Sequence, residues 1–257
     1  MKALLIDVGN TRVKWAQLVN GKLGRQHAVA HERWNAKLLA RAGRSCEKII
    51  VVSVAGAKFE KQLTRAARTA LGRKPVFIRS RRRMAGVTTR YRDPWRLGAD
   101  RLVAAIGGHR FAAGRAVCVV DIGTAMTIDL VDADGVHRGG SIIPGPQLMI
   151  ESLLQDTSGI QRRAGGRSSA RTLFARDTRA AIEQGARYAI AGVIDRSVVE
   201  ARDVLGSAPV LLLTGGAAPQ VRGLLRARHR LVPDLVLRGL ALLAGRQSRA
   251  SGDRKRS

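Results

Sequence analysis

Two short turns of similar composition carry the residue types best suited to chemistry in this sequence. The first reads DVGNT at residues 7–11, and the second reads DIGT at residues 121–124. In each turn a glycine lets backbone N–H groups converge on an anion, and a threonine adds a hydroxyl donor. The aspartate repels phosphate but can hold a cation that bridges to phosphate oxygens. Two such turns facing one another would clamp a polyphosphate from both sides.

The two turns belong to an internal repeat of the chain. Asp7 and Asp121 are 114 residues apart, and the hairpin signals NG and DG that follow them keep the same offset. The threonines of the two turns are 113 residues apart, so the second turn is one residue shorter than the first. A single D-x-G-T turn would be explained as an ordinary hairpin. The matched offset favours the functional interpretation and predicts two related domains with a cleft between them.

Asp100 is a second candidate for chemistry. It lies in the segment GVTTRYRDPWRLGADRL, at the start of a run whose apolar residues have helical spacing. At such a position an aspartate is by default a helix-start charge, favoured by the helix macrodipole. Here Arg101 is adjacent, and Tyr91 and Arg96 lie within ten residues. A carboxylate among cationic donors stays ionised at neutral pH, as a general base requires, so both roles are open.

The elements that would position these residues alternate along the chain. Apolar runs rich in Val, Ile and Leu predict strands over 3–9, 48–54, 75–78, 116–123 and 209–216. Helical spacing predicts helices over 58–71, 99–113, 172–204 and 235–244, and two glycines in the third predict a kink or close helix packing. The alternation indicates an α/β architecture with a largely parallel sheet. We divide the chain into an N-terminal domain (1–115), a C-terminal domain (116–245) and a disordered basic tail (246–257).

Three further segments are open to more than one interpretation. The loop LTGG (213–216) ends an apolar strand and precedes a helix, a place where a ligand can approach the backbone closely. The loop GGSIIPG (139–145) has the composition of a structural connector. The run RSRRR (79–83) is either a nucleic-acid patch or a solvated loop, and no aromatic residue interleaves with it as a stacking platform would.

Composition excludes several classes of protein. The 257 residues include 46 Lys and Arg against 19 Asp and Glu, a net charge of +27 that attracts polyanions of any kind. Only Cys46 and Cys118 are present, so a disulfide framework is excluded and a reducing cytoplasm is indicated. The sequence contains no HExxH or CxxC zinc motif, no Walker-type phosphate loop and no Rossmann fingerprint. No run approaches the roughly 20 apolar residues that span a bilayer, so no membrane partner is expected.

Taken in order, these motifs resemble those of the type III pantothenate kinases, within the acetate and sugar kinase/Hsp70/actin superfamily. The resemblance rests on DVGNTRVK, YRDPWRLGADR, DIGTAMTID, GGSIIPG, TRAAIEQG and LTGG, and it extends from about residue 4 to residue 244. It implies an α/β fold of two related actin-like (ribonuclease H-like) domains with an interdomain cleft. It also implies ATP-dependent phosphorylation of pantothenate to 4′-phosphopantothenate, the first step of coenzyme A biosynthesis, in the cytoplasm.

The resemblance also implies a role for each matched residue. Asp100 would be the catalytic proton acceptor, and Asp121 would bind the monovalent cation, K⁺ or NH₄⁺. ATP, together with Mg²⁺, would contact the glycine turns and the LTGG loop, namely Asp7, Val8, Gly9, Asn10, Thr11, Arg12, Val13, Lys14, Thr124, Gly215 and Gly216. Pantothenate would contact Tyr91, Gly98, Ala99, Asp100, Arg101 and Thr178. Members of the family are homodimers in which the second subunit helps to complete the pantothenate pocket.

Three other functions remain open. A sugar or acetate-type kinase would share the fold, but GADR together with Tyr91 belongs to the pantothenate branch. A regulatory or nucleic-acid-binding protein that retains the kinase fold is supported by the net charge and weakened by the scattered arginines and few aromatic residues. An ATP-driven structural or chaperone-like protein would need a substrate-binding domain for which the length leaves no room. Non-specific polyanion binding follows from the charge alone, and the tail would contribute to it.

Overall fold

The structure is a computed structural model that describes residues 1–155 and 172–253, with side chains described as far as Gly245. Contacts among these residues define two units. The first comprises Met1–Gly114, Ala133–Gly139 and the chain from Asp234 onward, and the second comprises Arg115–Asp132 and Gly140–Pro233. The last four residues of the predicted tail lie outside the described residues.

The first unit is built on a sheet in which the strand order is β3-β2-β1-β5-β6, with β4 beside β2. Its strands are β1 (Lys2–Val8), β2 (Arg12–Val19), β3 (Lys22–Leu23), β4 (His27–Ala30), β5 (Lys48–Ser53) and β6 (Val76–Phe77). β1 runs antiparallel to β2 and parallel to β5, and β5 runs parallel to β6. Helices α1 (Ala36–Gly43) and α2 (Gly56–Leu71) share one apolar core with β1, β2 and β5, which removes the alternate residues of these strands from water.

A second group of elements completes the first unit. The short strands β7 (Arg83–Met84) and β8 (Val87–Thr89) pair antiparallel, and β8 also pairs with Val136 and His137. Helix α3 (Ala99–Phe111) follows, with seven consecutive apolar or glycine residues that are buried on all sides. The unit thereby holds the Asp100 segment on a helix whose interior position is fixed by its composition.

The second unit repeats the sheet of the first. Its strands are β9 (Val117–Ile122), β10 (Ala125–Val131), β11 (Val136–Pro144, which begins in the first unit), β12 (Val210–Thr214) and β13 (His229–Leu231). β9 runs antiparallel to β10 and parallel to β12, and β12 runs parallel to β13. The order β10-β9-β12-β13 therefore has the same directions as β2-β1-β5-β6. The internal repeat predicted from the sequence is confirmed.

The helices of the second unit are α4 (Pro146–Gln155), α5 (Thr178–Leu205) and α6 (Ala218–Val221). Apolar residues of α5, α6, β9, β10 and β12 form its core. Among the residues that the structure describes, no helix combines the length and the apolar composition needed to cross a bilayer.

The C-terminal helix α7 (Leu235–Asp253) lies in the first unit, whereas the sequence-based division placed residues 234–245 in the second domain. Its backbone meets that of α3 directly, because a Cβ at Gly239 would lie 2.0 Å from the Val103 carbonyl oxygen. A Cβ at Gly107 would similarly lie 2.5 Å from the Leu235 carbonyl oxygen. The helix also continues to Asp253, so its backbone includes residues for which the sequence predicted disorder.

Candidate active site

The first glycine turn, residues 9–12, joins β1 to β2 just after Asp7. The Gly9 N–H donates to the Arg12 carbonyl oxygen over 3.1 Å, which closes the turn. Asp7 is 5% exposed, and its Oδ2 lies 3.6 Å from the Nζ of Lys14, the residue opposite it in the ladder. The turn presents three exposed side chains, those of Asn10, Thr11 and Arg12. The turn therefore offers hydrogen-bond donors to an anion, and Lys14 offsets the negative charge of the neighbouring Asp7.

Two residues of the predicted phosphate loop point away from any ligand. Val8 and Val13 are completely buried in the apolar core of the first unit and pair with one another in the ladder. Because their side chains fill that core, they could contribute only backbone atoms to a nucleotide site.

The second glycine turn, residues 123–125, joins β9 to β10 just after Asp121. It is one residue shorter than the first turn, as the offset of the threonines predicts. The Gly123 N–H donates to the Ala125 carbonyl oxygen over 3.0 Å. Thr127 stands opposite Asp121 in the ladder, at the position that Lys14 occupies in the first copy. The two copies thus share a backbone arrangement and differ in the residue that faces the carboxylate.

Two glycines hold neighbouring loops against the second turn. Gly215 follows β12 with φ +92°, and a Cβ there would lie 2.4 Å from both Asp121 Oδ1 and the Ile122 carbonyl oxygen. The Gly145 N–H donates to the Thr124 carbonyl oxygen over 2.8 Å. The structure therefore brings Asp121, Thr124 and Gly215 together. The GGSIIPG segment, which the sequence predicts to be a connecting loop, instead forms the end of β11 and the following Gly145, and it supports the same turn.

The oxygen atoms around Asp121 suit a hard cation. A carboxylate and the neighbouring backbone carbonyl oxygens are the ligand types that K⁺ and Mg²⁺ take in proteins. Within the described ranges, no group of three or more His, Cys, Asp and Glu residues is arranged to hold a metal ion. Asp121 would therefore supply the one carboxylate for such an ion, and the remaining ligands would be backbone oxygens, water or oxygens of a nucleotide.

Asp100 occupies the first turn of α3, beside the other residues predicted to contact substrate. Its Oδ1 accepts the backbone N–H of Arg101 over 2.8 Å, and Gly98 and Ala99 lead into the helix. Arg101 is 6% exposed, and its Nη1 donates to the Tyr91 hydroxyl oxygen over 3.0 Å. The guanidinium carbon also lies 5.9 Å from the centre of the Tyr91 ring. The guanidinium and the phenol are thus in direct contact, and the Asp100 carboxylate lies beside them on the adjacent residue of α3.

Two residues that sequence reasoning did not select hold Tyr91 in place. Arg82 donates to the carbonyl oxygens of Thr89, Tyr91 and Arg92 over 3.1, 2.5 and 2.9 Å. His137 is completely buried, with its ring centre 5.9 Å from that of Tyr91. Arg82 lay within the noted run RSRRR, whereas His137 carried no local signal because it is far from Tyr91 in the chain.

Thr178 is the first residue of α5 and lines an apolar groove of about 840 Å³ in the second unit. Leu148 and Leu153 of α4 remain 41% and 43% exposed in its wall. Among the described residues, no atom outside the helix's own backbone lies within 4 Å of a Cβ built at Gly185 or Gly192, so close packing, one of the two alternatives predicted at these glycines, is not found there. Further lining residues are Pro144, Met149, Ser152, Ala181, Ile182, Ala186 and Ala189.

Comparison with known proteins identifies the family to which these features belong. A family model described as type III pantothenate kinase matches residues 3–200. A type III pantothenate kinase of Nitrosococcus oceani is 36% identical over 249 residues, covering 94% of this chain and 93% of the relative.

Solved structures establish the fold independently. A Baf family protein from Campylobacter jejuni superposes with a TM-score of 0.62 at 19% identity, covering 96% of this chain and 99% of its own. A ROK family glucokinase from Streptomyces griseus superposes with a TM-score of 0.52 at 11% identity, covering 94% of this chain and 98% of its own. The predicted α/β fold of two actin-like domains is confirmed, and the extent of the sequence match makes this chain a member of the type III pantothenate kinase family.

Proposed function

We propose that this chain transfers a phosphoryl group from ATP to the primary hydroxyl of pantothenate, forming 4′-phosphopantothenate in the first step of coenzyme A biosynthesis in the cytoplasm. The observation that carries the proposal is the group formed by Asp100, Arg101 and Tyr91 at the start of α3. Within the superfamily, that constellation distinguishes the pantothenate branch, and the family match supports the same assignment.

We assign the binding of the ATP phosphates to the two glycine turns. Each turn offers backbone N–H groups and a threonine hydroxyl, from Thr11 in the first and Thr124 in the second, to phosphate oxygens. Gly216 is exposed after β12, so its backbone is open to the nucleoside, whereas Gly215 packs against Asp121. The transition state of phosphoryl transfer is loose, so positioned donors of this kind supply most of the catalysis.

Asp121 is the residue that we assign to the cation. Lys14 already places a positive charge 3.6 Å from Asp7, whereas the corresponding position opposite Asp121 holds the neutral Thr127. When bound, Mg²⁺ and a monovalent ion such as K⁺ or NH₄⁺ would neutralise charge on the phosphoryl group. The contribution of the chain is the carboxylate and the Gly215 turn that fixes its position.

Asp100 accounts for the acceptor half of the reaction. It would orient the pantothenate hydroxyl and accept its proton as the bond to phosphorus forms. Arg101 and Tyr91 offer a guanidinium and a phenol to the polar groups of pantothenate, and Arg82 fixes the backbone that carries Tyr91. The hydrogen bond from the Arg101 N–H holds the Asp100 carboxylate in one orientation.

A second copy of the chain would cover the apolar groove between α4 and α5. The groove exposes Leu148 and Leu153, and nothing in the described chain packs against Gly185 or Gly192. Large apolar side chains that remain exposed side by side in a groove are a common feature of protein interfaces. Because Thr178 lines the same groove, a homodimer formed there would bring the partner close to a residue predicted to contact pantothenate.

The activity is tested with the purified chain, ATP, Mg²⁺ and K⁺, and with pantothenate, glucose and acetate as competing acceptors. We expect ADP release only with pantothenate, accompanied by a product with the mass of 4′-phosphopantothenate. Phosphorylation of glucose or acetate with a comparable kcat/KM would contradict the substrate assignment while leaving the kinase fold intact.

A further inference from the structure

Helix α2 carries a row of positive charges along its exposed side. Lys58, Lys61, Arg65 and Arg68 recur at intervals of three and four residues, which places them on one side of a helix. All four side chains are exposed. Over ten residues at about 1.5 Å each, the row extends about 15 Å along the helix axis. We call these four residues the α2 basic row.

The α2 basic row is not a by-product of an arginine-rich composition. Helix α5 carries four arginines and four acidic residues over 28 positions, and ion pairs such as Arg179 with Glu183 join them. Helix α2 carries four cations and one acidic residue, Glu60, which is bound instead by Arg79. In the part of the chain that the structure describes, no member of the row takes part in an ion pair. Its charge is therefore available to a partner.

The surroundings of the row add charge and hydrogen-bond donors. Residues 58–83 hold ten Lys and Arg against one acidic residue, so about a tenth of the chain carries +9 of the net charge of +27. A groove of about 530 Å³ runs along α2 and is lined by Lys61, Arg65 and Arg68 together with Thr64, Thr69 and Phe77. Cations and threonine hydroxyls are common donors to phosphate oxygens.

We propose that the α2 basic row binds the phosphate backbone of nucleic acid. Phosphates follow one another at about 3.4 Å per nucleotide along the axis of one strand, so a row of about 15 Å spans four or five of them. A membrane surface fits less well, because the large apolar residues of α2, Phe59, Leu63 and Leu71, pack in the core and leave no apolar face to insert. Binding through such donors depends on salt and is independent of base sequence. The surface contains none of the residues assigned to pantothenate phosphorylation.

The test compares two variants of the full chain that remove the same charge. The first replaces the row by glutamine (Lys58→Gln, Lys61→Gln, Arg65→Gln and Arg68→Gln). The control replaces four exposed, dispersed cations (Lys22→Gln, Arg44→Gln, Arg202→Gln and Arg222→Gln). Fluorescence anisotropy with a labelled duplex DNA of mixed sequence gives the association constant over a series of KCl concentrations.

Each phosphate contact contributes about −0.9 to the slope of log K against log salt concentration. We therefore expect the row variant to reduce the magnitude of that slope by about 3 to 4, and the control by less than about 1. Equal reductions in both variants would show that net charge alone binds DNA and would overturn the proposal. Absence of binding by the unmodified chain at physiological salt would also overturn it.

Folding and the kinase activity are followed in the same samples. A charge-preserving variant (Lys58→Arg, Lys61→Arg, Arg65→Lys and Arg68→Lys) should keep the slope of the unmodified chain. All variants should keep its melting temperature and its rate of pantothenate phosphorylation. The slopes for DNA binding are measured independently of that rate, so the test remains valid if the kinase assignment fails. Vesicles containing anionic phospholipid provide the last comparison. If the row were required for binding vesicles and not DNA, the assignment to nucleic acid would be wrong.

Discussion

Replacing Asp100 by Asn separates the two roles that the sequence leaves open for this residue. Asn keeps an Oδ1 atom that can accept the Arg101 N–H, as Asp100 does over 2.8 Å. It loses the negative charge at the start of α3, which costs about 0.3–1 kcal/mol of unfolding free energy. It also loses the ability to take a proton, and general-base assistance is worth about 10²–10⁴-fold in kcat. A purely structural role therefore predicts a small effect on stability and full turnover.

Three measurements on one Asp100→Asn sample distinguish these roles: kcat for pantothenate phosphorylation, ATP affinity by calorimetry, and unfolding free energy by urea titration. We expect kcat to fall by about 10²–10⁴-fold with ATP affinity unchanged, because the nucleotide is assigned to the glycine turns. Asp234→Asn is the matched control. Asp234 immediately precedes α7, and its Oδ1 accepts from Arg238 Nε over 2.7 Å, so its loss should cost a similar amount of stability without affecting kcat.

The reasoning is refuted if the Asp100→Asn enzyme turns over at the normal rate while its unfolding free energy falls as in the Asp234 variant. Asp100 would then be only a helix-start charge, and the proton acceptor would have to be sought elsewhere. A fall in kcat with preserved ATP affinity, and with a stability loss no greater than that of the Asp234 variant, supports the catalytic assignment, since the Asp234 variant loses the same stability without losing turnover.

The remaining predictions concern the cation, the Gly215 turn, the dimer and the thiols. If Asp121 holds a monovalent cation, the rate should rise steeply with K⁺ or NH₄⁺ and much less with Na⁺, and Asp121→Ala should abolish this dependence and most of the rate; equal rates in sodium and potassium buffers would contradict it. Gly215→Ala forces a Cβ to within 2.4 Å of Asp121 Oδ1, so urea titration should show a loss of more than about 1 kcal/mol of unfolding free energy, with weaker ATP binding by calorimetry. Leu148→Glu places a charge in the apolar groove, and light scattering should detect monomers with a raised KM for pantothenate; a surviving dimer would exclude the groove as the interface. Burial, together with the nearby charge of Asp129, raises the pKa of Cys118 to about 12. The thiolate is the reactive form, so a thiol reagent at neutral pH should modify Cys118 only after unfolding in urea.

The repeat was predictable because it depends on short-range sequence. Each copy is a hairpin in which an aspartate, a glycine and a threonine follow one another closely, so the offsets between the copies give the relative lengths of the two turns. The ladders bear this out, with four residues between Val8 and Val13 and three between Ile122 and Met126. Short apolar runs bounded by turn residues likewise predict strands, because a strand of a parallel sheet is buried on both faces and is therefore apolar throughout.

Contacts between segments that are distant along the chain could not be predicted from the sequence. Gly107 and Gly239 are more than a hundred residues apart, and a glycine within a helical pattern indicates a weaker helix rather than a partner. Only the fold shows that these glycines let α3 and α7 approach to backbone contact. For the same reason the position of α7 in the first unit, and the contact between His137 and Tyr91, could not be predicted.

The two glycine turns share a backbone arrangement and differ in one side chain. Each turn follows a buried strand whose last residue but one is an aspartate. Each turn is closed by a hydrogen bond from the glycine N–H to a backbone carbonyl oxygen. Lys14 faces the first aspartate and Thr127 faces the second, at the same position of the ladder. Asp121, the residue that we propose to hold the cation, therefore differs from its counterpart in the residue that faces it across the ladder. Local pattern identifies the turns, and the family resemblance assigns the cation to Asp121, but only pairing across the strands reveals which residue each carboxylate faces.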